Sequence, residues 1–458
     1  MRKVSGLTTF VFLLTLLLAP MYTWAAPIDE VRQLVKEYYK GELQSNITEL
    51  DSIESIVGQL DPYSTYFTKE EFERYTDSIN NKPTGIGISI EEHEKGIQIV
   101  STFDGAPAKE AGIEPGDIIL SVDGNSTERM SVQQASSLIT GKAGTKVNIE
   151  VLKITGKKQS YILTRKSFQV PVVSNEMLYG NVGYISINSF SEDGASLVIA
   201  AKERLAKKGA TSYILDLRNN GGGYVNTAEE LIGLFPNSPH AYMLMLKNQI
   251  GLVKSIPQKD LFPNNTKVLI NGYSASASEM TAAALLDHKS ATLYGQRTYG
   301  KGSMQSFYPL SDGSYLKLTV AEFAGPKGTV VNKTGVQPQV VTKEGMELEK
   351  AHLDTILESY PSYKRLSKLE NVAQTKQFTV TFSEAVQLNK KEGIELIALG
   401  DAKKIPLKVE QKSTNQIKAI PTKLEKGAAY LLLIHPTFQS SKDIQMEQGA
   451  YVEVTVQQ

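Results

Sequence analysis

The sequence contains no cysteine in its 458 residues. That excludes disulfide staples, cysteine-ligated zinc, iron–sulfur clusters and thiol nucleophiles. It also removes any reliance on thiol redox state outside the cell. Histidine is scarce: His93, His240, His288, His352 and His435 are well separated, and no two have the close spacing of a histidine-based metal site. Charge of one sign is missing, because 49 basic residues face 49 acidic ones. No basic excess points to nucleic acid, and no acidic tail is present. Past the N-terminal segment, no apolar run reaches the roughly 20 residues of a membrane-spanning helix. Short repeats and low-complexity tracts are absent too. What remains, 41% hydrophobic and 21% charged residues, is ordinary globular composition. The length predicts about three domains.

The N-terminus has the pattern of an export signal. Arg2 and Lys3 precede an apolar run from Leu7 to Ala19, followed by Pro20 and the small-residue stretch Thr23-Trp24-Ala25-Ala26. The order of charged, apolar and small-residue regions predicts a signal peptide over residues 1–25, cut after Ala25. An uncleaved membrane anchor is the rival reading. Cleavage would leave 47 basic against 49 acidic residues, a net charge of −2. The expected location is therefore secreted or extracytoplasmic.

Residues 26–82 read as a helical region. Val31, Leu34, Val35, Tyr38 and Tyr39 have helical spacing, and Thr68-Lys69-Glu70-Glu71 looks like a helix start. Leu60-Asp61-Pro62-Tyr63-Ser64 between them is a turn. From residue 83 the texture changes. Gly85-Ile86-Gly87-Ile88 alternates glycine with isoleucine, and Gly116-Asp117-Ile118-Ile119-Leu120 leads through a strand to the Asp123-Gly124 turn. These stretches, in that order, resemble a PDZ domain over residues 83–166. Residues 167–360 alternate strands with helices, which predicts βαβ units around a largely parallel sheet. Residues 361–375 are polar and read as a linker. Residues 376–458 carry short strands at regular spacing. The stretches Phe378 to Val386 and Leu424 to Tyr430 resemble bacterial Ig-like domains, which implies a C-terminal β-sandwich.

Three stretches in the βαβ region carry chemistry. Tyr273-Ser274-Ala275-Ser276-Ala277-Ser278-Glu279-Met280 follows an apolar strand and opens an alanine-rich helix. A hydroxyl there sits beside unpaired backbone N–H groups and the positive end of the helix dipole. That suits a serine nucleophile with half an oxyanion hole, but taken alone the stretch reads first as a plain helix cap, because capping serines are common. Thr298-Tyr299-Gly300-Lys301-Gly302-Ser303-Met304-Gln305 sets one lysine between glycines. Burial would favour its neutral form, which can accept a serine proton; a solvated turn lysine is the bland alternative. Asp216-Leu217-Arg218-Asn219-Asn220-Gly221-Gly222-Gly223-Tyr224 leaves a strand through a glycine turn. Its N–H groups can face an oxyanion. It lacks the Gly-Lys-Ser/Thr ending of a phosphate loop.

Together these motifs resemble the C-terminal processing peptidases, or tail-specific proteases, over about residues 28–360. Leu60 to Tyr66 and Gly335-Val336-Gln337-Pro338 look like that family as well. The resemblance implies a multidomain α/β protein with a crotonase/Clp-protease-like core, N-terminal helices and an inserted PDZ domain. It implies a Ser–Lys dyad with Ser276 as nucleophile, Lys301 as general base and Gln305 orienting the lysine. The N–H groups of Ala277 and Gly222 would form the oxyanion hole, Ser274 and Ser278 would be structural, and no cofactor is implied. Gly85, Ile86, Gly87 and Ile88 would bind a substrate's terminal carboxylate, with apolar C-termini the expected ligands. The PDZ domain would gate the site, with Arg165 either relaying its occupancy or lying as a surface arginine. Gly221 stands where the family usually has proline. Gln339 stands where an acidic residue is more usual, so that loop is assigned nothing. Asp287 and His288 lie about three helical turns past Ser276, too far for a Ser-His-Asp arrangement.

The resulting expectation is an exported endopeptidase that cuts proteins at or near their C-termini. The Ig-like region would contact the cell envelope or another copy, and the N-terminal helices would pair two copies. The rival readings are a non-catalytic PDZ/Ig-like binding scaffold and a crotonase-type acyl-CoA enzyme. An export signal counts against the latter.

Overall fold

The computed structural model describes residues 27–43, 46–80, 84–103, 105–130, 132–167, 171–387, 393–440 and 442–457. The expected signal peptide, residues 1–25, lies outside them. No helix among the described residues is long and apolar enough to cross a membrane. The chain divides into two compact units. The first joins the described part of Met1–Lys69 to Gln305–Thr319; the second joins Glu70–Met304 to Val320–Gln458.

In the first unit the expected amphipathic helix is Pro27–Tyr38, burying Val31 and Val35. Short helical turns follow, capped by Asn46 and Ser52. The Asp61 turn acts as a staple. Its carboxylate accepts the Tyr63 N–H at 2.8 Å and the Thr319 hydroxyl at 3.0 Å, while Ser64 Oγ accepts the Thr319 N–H at 3.0 Å. Strand Thr65–Phe67 then pairs antiparallel with the start of Tyr315–Ala324.

The second unit begins with helix Lys69–Ile79. In the PDZ region, strands Ile88–His93, Gly96–Thr102, Ile118–Val122, Lys146–Leu152 and Lys158–Thr164 pair in that order, all antiparallel. Ile97, Ile99, Ile119, Val147 and Ile149 form their core. The βαβ expectation is met in the next region. Val173–Leu178 pairs antiparallel with Val182–Ile187, and from there Ser212–Asp216, Lys267–Ile270, Thr292–Gly295 and Val340–Val341 add in parallel. Helices Gly194–Lys207 and Ala277–His288 lie between consecutive parallel strands. Lys267–Ile270 is buried throughout, as a central parallel strand should be. The three glycine- or serine-rich loops thus leave the same C-terminal ends of three neighbouring strands, where open α/β sheets place their sites.

Among the described residues the C-terminal strands form a small two-stranded sheet and two larger ones, of six and three strands. Both contribute to a core that includes Leu396, Ile417, Tyr430, Leu432 and Val454. The apolar stretch from Ile405 to Val409 is split between the larger sheets: Lys404–Ile405 belongs to one and Leu407–Ser413 to the other. Pro406 sits at the break, lacking the N–H a ladder needs. The expected linker 361–375 is corrected. It carries strands Lys364–Arg365 and Leu369–Val372, both parallel to Ala450–Val456. Their largely exposed side chains explain the polar composition that reads as a linker.

Helix Glu347–Leu357 joins this region to the parallel sheet. Leu353 and Ile356 pack with Ile397, Leu431 and Leu433. His352, fully buried, receives the Gly400 N–H at Nδ1 (2.9 Å) and faces the Tyr179 carbonyl with Nε2 (2.8 Å). A backbone N–H can only donate and a carbonyl only accept, so this ring is the neutral Nε2–H tautomer. Burial accordingly pushes its pKa down. The unfolded chain titrates near the ordinary histidine value of about 6.5. Below that pH the unfolded state binds a proton the folded state refuses, and stability falls. Thermal unfolding should therefore show Tm dropping from pH 7 to pH 5. His352→Gln should flatten that slope, and an unchanged slope would contradict the assignment.

Candidate active site

The site is assembled from the ends of strands Ser212–Asp216, Lys267–Ile270 and Thr292–Gly295. Ser276 is the N-cap of helix Ala277–His288, with φ 56° and ψ −113°. A non-glycine residue held there is strained, a cost that persists only where the surroundings over-determine the backbone. The restraint comes from Glu279. Its fully buried carboxylate accepts the Ser276 N–H at 3.0 Å and the Lys301 N–H at 2.8 Å on Oε2, and the Gly300 N–H and Thr298 hydroxyl, both at 2.6 Å, on Oε1. One side chain thus fixes the backbones of the expected nucleophile and the expected base. The Ser276-x-x-Glu279 spacing is a capping-box signal, so this residue was open to sequence reasoning, which passed over it.

The glycine turn is laced to the same loop. Asn220, fully buried, accepts the Ala275 N–H and the Ser278 hydroxyl at its carbonyl, at 3.0 and 2.8 Å. Its side chain donates to the Ile187 carbonyl at 2.7 Å. Ser274 Oγ donates to the Leu217 carbonyl at 2.8 Å. Ser274 and Ser278 are therefore structural links that flank Ser276. Gly222, at φ 103°, lies so close that an added Cβ would stand 2.8 Å from Ser276 Cβ and 2.9 Å from the Ala277 nitrogen.

One expectation needs correction here. The Gly222 N–H donates to Asn220 Oδ1 at 2.9 Å, so in this structure it does not face an oxyanion. Asparagine side chains capture the N–H two residues on in this way. The Phe190 N–H meets the Gly222 carbonyl and the Tyr224 N–H meets the Phe190 carbonyl. That pattern turns the Gly223 N–H away from Phe190, because the two groups of a trans peptide point oppositely. Ala277 provides the first N–H of its helix, one of the donors that a helix start leaves without an intrahelical partner.

Beneath the turn, the Arg218 guanidinium grips Asp216 and meets Glu347 at 2.7 Å. Burial opposes its charge, and hydrogen-bonded Asp216 and then Glu347 outweigh that, holding Arg218 above its ordinary pKa. Asp287 and His288 end their helix. Asp287 ties down Lys327 and Thr329, and His288 meets the His240 carbonyl. In the first unit, Gln305 donates to Thr319 at 3.1 Å, and so joins the Asp61 staple. Gln339, assigned nothing, accepts the Leu293 N–H at 2.7 Å.

The expected carboxylate loop of the PDZ region borders a groove of about 440 Å³ lined by Ile86, Ile88, Phe103 and Ile139. Asn188 and Asn219 also line it, and Asn219 immediately precedes Asn220. Arg165 is not a surface arginine. It is buried, and its guanidinium donates to the carbonyls of Leu138, Ile139 and Lys146 at 2.8–2.9 Å. These partners belong to the PDZ region itself.

Comparison with known proteins agrees with this architecture. Peptidase family S41 matches residues 181–342, and a PDZ domain matches residues 100–153. The chain is 37% identical over 310 residues to the carboxy-terminal processing protease CtpA of Bacillus subtilis, covering 67% of this chain and 66% of that protein, just under two thirds of its length. It is 32% identical over 321 residues to the carboxyl-terminal-processing protease of Synechocystis sp., covering 68% of this chain and 75% of that one. The solved structure of a photosystem II D1 C-terminal processing protease shares the fold, with a TM-score of 0.53 and 23% identity over 72% of this chain and 96% of that chain. The fold is that of an S41-type peptidase with a PDZ domain, and the chain belongs to the carboxyl-terminal-processing serine proteases of that family.

The Glu279 clamp makes a specific prediction. Glu279→Gln replaces two acceptors with one acceptor and one donor, so two of the four N–H and O–H groups lose their partner. Misplacing reacting groups by about 1 Å costs roughly 100-fold. Proteolysis by Glu279→Gln should show kcat lower by about that factor with KM little changed. Equal loss in KM would place Glu279 in substrate binding instead.

Proposed function

We propose that this chain is an exported serine endopeptidase that cuts polypeptides at or near their C-termini through Ser276 and Lys301. The observation that carries the proposal is the shared carboxylate of Glu279, bonded to the backbone N–H of both residues. A helix cap needs only the first of those bonds, and a turn lysine needs neither.

Neutral Lys301 takes the proton of Ser276 Oγ as that oxygen bonds to the scissile carbonyl carbon. The carbonyl π electrons move onto oxygen, which is met by the N–H groups of Ala277 and of the glycine turn. With Gly222 engaged by Asn220, Gly223 is the turn's donor, unless Asn220 releases Gly222 when substrate binds. The C–N bond then breaks, and Lys301 returns the proton to the leaving amine. Water, deprotonated by the same lysine, releases the acyl group as a carboxylic acid. Gln305, four residues past Lys301, is the group that the family pattern assigns to orienting it.

The PDZ groove takes the apolar C-terminus of the substrate, added as a strand. Gating through that groove is supported by Asn219, which lines it and precedes the turn beside Ser276. Arg165 serves by fixing the end of the PDZ sheet to its helix. The core is read as crotonase-like and the C-terminal sheets as an Ig-like sandwich that contacts the envelope or a second copy. The N-terminal helices are read as pairing two copies. Residues 1–25 serve as the export signal.

The test is cleavage of an unfolded protein by residues 26–458. Ser276→Ala and Lys301→Ala should each lower kcat/KM by about a thousandfold or more. Ser278→Ala, which loses one structural hydrogen bond, should keep most activity. If wild type is silent, peptides with apolar C-termini are added. Activity appearing only then means gating, and continued silence favours the binding scaffold.

A further inference from the structure

Beside the lysine loop, the sheet of the second unit presents an apolar face to solvent. Strand register defines it. In antiparallel pairs, directly opposed residues share a face. Val330 is bridged to Ala324, Ala324 is opposed to Met243, and Met243 to Leu252, which makes one row across three strands and the bridged Val330, with Ala324 itself buried and Met243 half-buried between the exposed ends. The next row is Glu322, Met245 and Ile250. The alternate residues Phe323, Leu244 and Val253 point the other way, into or against the core. Ile250 is 69% exposed, Val330 58% and Leu252 49%. Isolated exposed apolar residues need no explanation, whereas a contiguous row marks an interaction site.

Two observations say what occupies it. The face is continuous with the lysine loop: the Phe323 N–H donates to the Gly302 carbonyl at 2.8 Å, and the Lys333 N–H to the Gly300 carbonyl at 2.7 Å. Strand Ile250–Lys254 ends its sheet, and no strand pairs with its outer side among the described residues. An open edge offers main-chain groups that only another extended chain can pair. A lipid surface would use the apolar row and leave the edge unused.

We propose that this face is a second docking site for substrate, taking an extended apolar stretch of unfolded polypeptide that leads away from the bond held at Ser276 and Lys301. The proposal rests on the peptidase reading and adds a specificity element to it. Neighbouring strands lie about 4.8 Å apart, so the row from Val330 to Leu252 spans about 14 Å. A protein substrate continues past the residues held at the cleavage site and engages this face, whereas a hexapeptide filling the cleavage site has no chain left over for it.

The experiment uses the doubly substituted chain Ile250→Ser/Leu252→Ser, whose changes lie at exposed positions. β-Casein serves as the unfolded protein, and a hexapeptide carrying one of its mapped cleavage sites as the short substrate. Each apolar side chain lost from a buried contact is worth enough for about a tenfold effect. KM for β-casein should rise about a hundredfold, tenfold for each substitution, at unchanged kcat, with hexapeptide cleavage unaltered. Equal KM for β-casein in both chains, or matching losses on the hexapeptide, overturns the proposal. So does a shift from dimer to monomer on sedimentation of the variant, which would make the face a contact between copies. Binding of labelled β-casein to Ser276→Ala, with and without the two substitutions, reads the face without catalysis. Weaker binding by the triple variant supports the docking face even if the wild type cuts nothing, and equal binding rejects it.

Discussion

The site depends on one buried carboxylate. Glu279 has no exposed surface and is met by four donors, three of them backbone N–H groups from two separate loops. A carboxylate deprived of water needs such compensation, and each hydrogen bond lost from it costs about 1.5–3 kcal/mol. The geometry follows from that demand. To bring the Ser276, Gly300 and Lys301 N–H groups onto one carboxylate, the loops must approach at backbone contact. Gly300, at φ 98°, turns where a side chain would be strained, and a Cβ at Gly302 would collide with Asn332. The glycines around Lys301 therefore let the loop reach Glu279, which is a different task from burying the lysine.

The same economy of main-chain bonding explains the three serines. Ser274 and Ser278 are fully buried, and each donates to a carbonyl of the neighbouring loop, Leu217 or Asn220. They lock the nucleophile loop against the glycine turn on both sides and leave Ser276 as the half-buried member. Below the turn, Arg218 passes the restraint to Glu347 at the start of helix Glu347–Leu357. About two turns along, that helix packs Leu353 and Ile356 against Leu431 and Leu433 of the C-terminal sheet. The C-terminal strands are thus continuous, through one helix, with the root of the glycine turn.

The elements themselves were legible wherever periodicity was strong. Helix Gly194–Lys207 is present with the bounds its spacing predicts, and the parallel strands are apolar runs because both faces are covered. Ser276 and Lys301 stood out because a hydroxyl at a helix start and a lysine between glycines are the residue types that the expected chemistry demands. The rest was hidden for physical reasons. Glu279 reads as the acidic residue of a helix start, and nothing local shows that its second oxygen serves another loop 21 residues on. The Gly222 N–H was assigned to an oxyanion from glycine content alone, whereas the Asn220 side chain two residues earlier is the competing acceptor. The strands within 361–375 pair with Ala450–Val456, about 85 residues away, and lie exposed. No local pattern reports that pairing. Arg165 looked like surface because arginine usually is, yet it is buried, with three carbonyls to receive its guanidinium.

These restraints also locate where movement can occur. Ser276 is held by Glu279 on its N–H, and its carbonyl accepts from Met280 at 2.8 Å; Lys301 is held on its N–H. Neither backbone can shift without breaking a buried, charge-assisted bond. The glycine turn is tied differently. Asn220 is fixed through five hydrogen bonds, but a Cβ added at Gly221 would meet nothing and Gly222 is held at its N–H by a single side-chain oxygen. Exchanging that one neutral bond costs about 1 kcal/mol, less than breaking a bond of the Glu279 clamp. Gly221 and the Gly222 N–H are thus the least tightly held part of the site, beside Asn219 in the wall of the PDZ groove, while Ser276 and Lys301 are held at their backbones by Glu279.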